Sequence, residues 1–179
     1  MTPALRSDGA VCVVGLCLAL GAAGCITRVQ SDPTTFDVRQ DATPRMRGHQ
    51  SLTISNAYAA PTVVVAYRRD KSSIEVDLRD FTETAVGMME RRLRKDGIDL
   101  APAAAKSVTL RVKNVSVLSD GFAMLSTITM EAELGNGAKR TLRIKNNSTS
   151  AQRALDGAMV RSVTQLLNDE QFLAYVNGQ

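Results

Sequence analysis

The sequence contains no tryptophan, a single histidine and three cysteines, and all three cysteines fall within the first 25 residues. Each shortage removes a class of chemistry. With His49 as the lone imidazole, a metal site of several histidines cannot form, and a Ser-His-Asp or Cys-His arrangement would depend on His49 alone. His49 stands beside Gly48 in a polar stretch, where a solvated linker histidine is the default reading. Beyond Cys25 no thiol is left for a disulfide framework, a thiolate nucleophile or a cysteine metal site. Aromatic residues make up 4% of the chain, so a core must be built mainly from Val, Leu, Ile, Met and Ala. No glycine loop suited to nucleotides occurs, because Gly135-Asn136-Gly137 reads as a hairpin turn and does not join a strand to a helix. The chain is therefore expected to be non-enzymatic, with no metal and no cofactor. The enzymatic alternative is a hydrolase built on carboxylates. Asp77, Asp80 and Glu83 near the first predicted helix, and Asp169 and Glu170 near the last, read instead as capping devices.

What is present begins with an apolar run at residues 10–23, AVCVVGLCLALGAA. It is too short for the ~20 apolar residues that a membrane-crossing helix needs. It ends in small residues, which is the form of a secretory signal. The run leads through Ala22, Ala23 and Gly24 into Cys25, and so resembles the lipobox of bacterial lipoproteins. There the cysteine thiol receives a diacylglyceryl group and becomes the new N-terminus. The usual leucine three places before the cysteine is replaced by Ala22, with Leu20 two residues further back. Ordinary cleavage beside Cys25 would leave a free thiol, and an unpaired cysteine in an exported chain is unusual. Residues 1–24 are thus expected to be a cleaved lipoprotein signal peptide, with Cys25 as the lipidation site. Each acyl CH₂ contributes ~0.8 kcal/mol on burial, and two or more chains hold a protein stably at a membrane. Ile26, in place of the Asp that favours inner-membrane retention, points to the periplasmic face of the outer membrane.

Residues 25–49 are expected to form a flexible tether. Pro33, Pro44 and Gly48 punctuate it, no hydrophobic period persists, and Phe36 and Val38 are its candidates for local docking. Residues 50–179 are expected to form one α+β domain. Leu52 and Ile54, then residues 63–67, then Ile74, Val76 and Leu78 show strand patterns. Phe81, Ala85, Met88, Met89 and Leu93 make a helical stripe, with Asp80 or Thr82 as its cap and Gly97 at its end. Val108, Leu110 and Val112 alternate, and the phase then shifts to Val115 and Val117, which predicts a bulge near Lys113 and Asn114. Asp120-Gly121 turns the chain into a long strand through Leu134. Gly135-Asn136-Gly137 turns it again into a strand carrying Leu142 and Ile144. Thr149 or Ser150 caps a second helix through Leu167, Asn168-Asp169 breaks it, and Phe172, Leu173 and Val176 form a short final segment. This order predicts a two-layer sandwich, a mostly antiparallel sheet with two helices packed on one face.

The blocks LRDFTETAVGMMERRLRKDGIDL, VTLRVKNVSVL, GNGAKRTL and ALDGAMVRSVTQLLNDEQFLAYV, together with the lipobox, resemble the YajG-like group of small Gram-negative outer-membrane lipoproteins. The outer-membrane lipoprotein that assists lipopolysaccharide assembly, and the lipoprotein subunits of lipid-trafficking ABC systems, have comparable size and anchoring. The resemblance implies a membrane-tethered, non-enzymatic domain and carries over no active residues.

The net charge is +4, and the isoelectric point is near 9.2. Arg68, Arg69 and Lys71 cluster in one turn, Arg91, Arg92, Arg94 and Lys95 at the end of the first helix, and Lys139, Arg140, Arg143 and Lys145 on one strand. The plain reading is solvated charge. The sharper reading is an interaction surface formed by Arg68, Arg69, Arg91, Arg92, Lys139, Arg140, Arg143 and Lys145. Such a surface would suit anionic lipid, lipopolysaccharide phosphates or an acidic envelope protein. Nucleic acid is set aside because of the export signal. Met88, Met89, Met124, Met130 and Met159 fall on apolar stripes and read as core. The alternative is a lipid or glycolipid pocket against Met88, Met124 and Met159. The expected function is that of an anchored binding, scaffolding or accessory component in cell-envelope assembly or maintenance.

Overall fold

The computed structural model describes residues 25–30, 37–47 and 51–178. Its elements in chain order are β1 (Ile26–Val29), β2 (Leu52–Asn56), β3 (Val63–Arg69), β4 (Ser72–Asp77), α1 (Leu78–Lys95), β5 (Lys106–Asp120), β6 (Ala123–Leu134), β7 (Lys139–Ser148), α2 (Ala151–Leu167) and α3 (Glu170–Asn177). The α+β class is as expected. A four-stranded sheet runs β2-β5-β6-β7. Helix α1 packs over β2 and β5, α2 packs over β6 and β7, and the two helices touch each other.

Alternation builds the sheet's two faces. Ile128, Met130, Ala132 and Leu134 of β6 are buried, while Thr129, Glu131 and Glu133 between them are not. In β5 the register shifts between Val112 and Asn114. That extra residue returns Val115 and Val117 to the core side, as the sequence phase requires. Beyond Leu110, β5 no longer has β2 beside it, and side chains complete its backbone bonding. The Val112 N–H donates to Thr82 Oγ1 at 2.9 Å, and the Val112 carbonyl accepts from the Tyr58 hydroxyl at 2.9 Å. Thr82 is therefore a buried residue inside α1 and not its cap. The cap is Asp77, whose carboxylate accepts from the N–H groups of Arg79 and Thr62 at 2.9 Å each. Strand β4 runs straight into α1, so the capping position falls on the strand's last residue.

Ser150 caps α2 by accepting from Arg153 N–H. Helix α2 sits close to β7 at Gly157, where a Cβ would lie 2.3 Å from Asn146 Nδ2. Asp169 caps α3 by accepting from the N–H groups of Gln171 and Phe172. The short final segment is held on the body, with Phe172 and Val176 buried.

Three features depart from the expected layout. Antiparallel pairing predominates, but β2 pairs with β5 in parallel. A second sheet, ordered β1-β4-β3, adds to the same core through Val29, Ala66 and Val76. Its outer strand β1 pairs in parallel with β4 and comes from the stretch expected to be a flexible tether. Val38, Thr43 and Met46, from the same stretch, are also buried. The described parts of residues 25–49 are thus built into the body. Their apolar residues are single and widely spaced, so they make no period along the chain, yet each finds a seat on elements formed far downstream. Phe36 and His49 lie outside the described residues.

Candidate functional site

The eight basic residues expected to form one surface are dispersed. Arg92 does not belong to a surface at all, being 2% exposed. It lies in the last turn of α1, with its Nε donating to Thr43 Oγ1 at 2.8 Å. Its Nη1 stands 2.5 Å from the Asp96 carboxylate as an ion pair without hydrogen-bond alignment. Asp96 in turn accepts from the Met46 N–H at 3.2 Å. The physical reason is position: Arg92 follows Met88 and Met89 at helical spacing and so falls on the buried stripe. Its neighbours are partly compensated too. Asp37 pairs with Lys95 and lies 3.9 Å from Arg91.

On the hairpin strand, Arg140 is held by Asp169 at 2.5 and 2.9 Å and by Gln171 at 3.2 Å. It braces the cap of α3, so reversing its charge would disturb the fold along with any binding. Lys139 pairs with Glu133 at 3.0 Å. Arg143 and Lys145 are exposed on the outer face of β7. That face carries interspersed charge, including the Lys113–Glu131 pair at 3.1 Å. Exposed pairs of this kind contribute little, and the face reads as solvated.

Arg68 and Arg69 are different. They end β3, precede the turn at Asp70 and Lys71, and are exposed. Within the described chain, Cys25 lies beside them. The exposed Cys25 offers its carbonyl to Ser73 N–H at 3.1 Å. Ile26 stands opposite Ser73, and Ser73 stands opposite Arg68. The sheet register therefore places the cysteine, Ile26 and the basic turn at one end of the smaller sheet. Nothing local in the sequence joins Cys25 to Arg68, because they meet only through the β1–β4 pairing.

Exposed apolar groups were also missed. Ile26 is 66% exposed, and Val63 and Val65 are each 45% exposed. At the β5–β6 turn Phe122 is fully exposed, and Leu118, opposite Leu125, is largely so. Residue order could have shown Phe122, since it directly follows the turn pair Asp120-Gly121.

Met88, Met89, Met130 and Met159 are packed into the core. The open depressions near Lys106 and Tyr175, near Arg140 and Asp169, and near Thr53 and Arg94 are not lined by them. Among the described residues no group of three or more His, Cys, Asp or Glu side chains is arranged to hold a metal ion.

One acid is out of balance. Asp156 of α2 is buried, and burial raises its carboxyl above the usual range, partly offset by a hydrogen bond from Gln152 Nε2 at 2.9 Å. An acid raised in the folded state favours folding most below its unfolded pKa, and that advantage is lost as pH rises through the folded value. Asp156→Asn is therefore expected to raise Tm by about a few degrees at pH 7. The gain should vanish below the ordinary carboxylate range of about pH 4. Thermal unfolding at both pH values checks this, and an equal effect at the two would refute it.

No protein-family model matches this sequence, and no curated protein matches it.

Proposed function

We propose that the protein is a bacterial lipoprotein acylated at Cys25. Its α+β body serves as a non-enzymatic binding or scaffolding component in cell-envelope assembly or maintenance, on the periplasmic face of the outer membrane. The observation that carries this reading is the run Ala22-Ala23-Gly24-Cys25 following a short apolar segment. The exposure of Cys25 at the head of β1 is compatible with a lipid on its sulfur. Among the described residues no helix is long and apolar enough to cross a membrane, so the acyl chains would supply the attachment. The resemblance of the blocks around Leu78, Val108, Gly135 and Ala154 to the YajG-like group points to the same class of role.

The test compares wild type with Cys25→Ser in a Gram-negative host, using metabolic labelling with a palmitate analogue and membrane fractionation. Wild type is expected to take up label and sediment with membranes. Cys25→Ser is expected to do neither. Crosslinked affinity purification of the two then asks for a stoichiometric partner that requires the anchor. Unlabelled wild type in the soluble fraction would overturn the reading.

A further inference from the structure

We infer that the β3–β4 turn and the first residue of β1 form a membrane-docking edge that rests on anionic lipid headgroups. The inference depends on acylation at Cys25 and adds to it an orientation of the body.

No spacer separates Cys25 from the folded body. The described backbone enters β1 at Ile26, directly after Cys25, and the Cys25 carbonyl is already bonded to Ser73 N–H at 3.1 Å. An acylated residue keeps its backbone at the headgroup level, so whatever pairs with it is held there too. Neighbouring strands are about 4.8 Å apart, which puts Arg68, two strands away, about 10 Å from Ile26. That distance is about one Debye length at physiological salt. Arg68, Arg69 and Lys71 share this end with Asp70, the acid of the turn, which stands 3.9 Å from Arg69 as an exposed pair, and three bases against one acid leave a positive excess.

The balance of charge, more than the absence of pairing, separates this edge from the other basic clusters, since three basic residues here face the single acid Asp70. Arg92 is buried against Asp96, Lys95 pairs with Asp37, and Arg140 is held by Asp169. Along the smaller sheet itself, Arg28 pairs with Glu75 at 3.6 Å two rows inward, beyond the row of Thr27, Ile74 and Tyr67. The row at the Cys25 end, Ile26, Ser73 and Arg68, carries no acid. Ile26 adds an exposed apolar side chain where interfacial burial would favour it. Each basic residue near an anionic leaflet strengthens attachment by about fivefold. An anionic bilayer surface thus matches the edge in charge, apolar content and position relative to the anchor.

The test uses the acylated full chain purified in detergent and carrying Ser72→Cys with an environment-sensitive fluorophore. A second sample carries the fluorophore at Thr141→Cys, on the exposed face of β7. Both are reconstituted into phosphatidylcholine vesicles with and without phosphatidylglycerol. The Ser72 label is expected to shift to the blue when phosphatidylglycerol is added, and the Thr141 label to stay unchanged. High salt and the triple variant Arg68→Gln/Arg69→Gln/Lys71→Gln should abolish the shift, while the variant still floats with the vesicles on its acyl chains. Equal Ser72 emission in the two vesicle types, or a shift that survives the triple variant, would overturn the inference while leaving acylation standing. A chain that fails to float refutes acylation and the inference together. A label that responds on native membranes and not on pure vesicles assigns the edge to a protein partner and overturns the lipid assignment.

Discussion

Arg92→Ala is expected to destabilise the protein by about 3–5 kcal/mol, the cost of leaving one member of a buried ion pair uncompensated. For a chain of this size that corresponds to a fall in Tm of about 10 °C or more. Asp96 would keep the Met46 N–H as a partner but lose its counter-ion, and the buried Thr43 hydroxyl would lose its donor. The consequence reaches beyond α1. Residues 37–47 are fastened at several points: Asp37 to Lys95, Thr43 to Arg92, the Ala42 carbonyl to Asn168 Nδ2 at 2.9 Å, and the Arg47 N–H to Asn177 Oδ1 at 3.0 Å. The Arg92 pair lies at the centre of that seam. Trypsin should therefore cut the exposed Arg45 and Arg47 faster in the variant than in wild type. Replacing both partners, as in Arg92→Met/Asp96→Asn, should recover more than half of the loss, because no unpaired charge then remains. A loss under 1 kcal/mol for Arg92→Ala in urea titrations would show that the pair is not buried in solution.

Phe172→Ala is expected to cost about 3–5 kcal/mol through cavity formation and lost burial. Helix α3 has 8 residues, well short of the length at which a helix holds in water by itself. Its order must come from the body. Phe172 and Val176 supply the apolar seat. Polar contacts finish it: Lys106 Nζ donates to the Tyr175 carbonyl at 2.7 Å, and the Tyr175 hydroxyl donates to the Ser107 carbonyl at 3.1 Å. The Arg140–Asp169 pair fixes the other end. Removing the ring should release α3 and expose the sheet edge near Leu134 and Ala138, which line the depression beside it. Urea unfolding followed by circular dichroism checks the magnitude. A reduced m-value would show α3 already undocked in the folded variant. Leu173→Ala, at a half-buried position on the same helix, should lose less than half as much.

Much of the architecture is legible along the chain. The stripe Phe81, Ala85, Met88, Met89 and Leu93 marks α1, and the phase shift from Val112 to Val115 marks the bulge. Ser150 and Asn168-Asp169 mark the limits of α2, and the glycines after Asp96 and Asn136 take the positive φ angles that their turns require. These signals are legible because a helix turn, a strand alternation or a cap involves residues a few positions apart. The role of Arg92 was half legible. It lies on the α1 stripe four residues before Asp96, but a guanidinium within a run of basic residues reads as solvated until its neighbours are known.

The sequence by itself determined the succession of strands and helices from β2 onward, the caps of α2 and α3, the turns, most of the core and the lipobox-like run at Cys25. Tertiary structure alone decided that residues 26–29 add a strand to β4, that β2 runs parallel to β5, that Thr82 serves the bulge and that Arg92 turns inward. Each of these joins groups far apart in the chain, where no periodicity operates and the outcome depends on which surface is left unpaired once the nearer elements have formed. The basic residues show the same division. Their number is written in the sequence, but which of them are compensated was settled by where Asp37, Asp96, Glu133 and Asp169 came to lie.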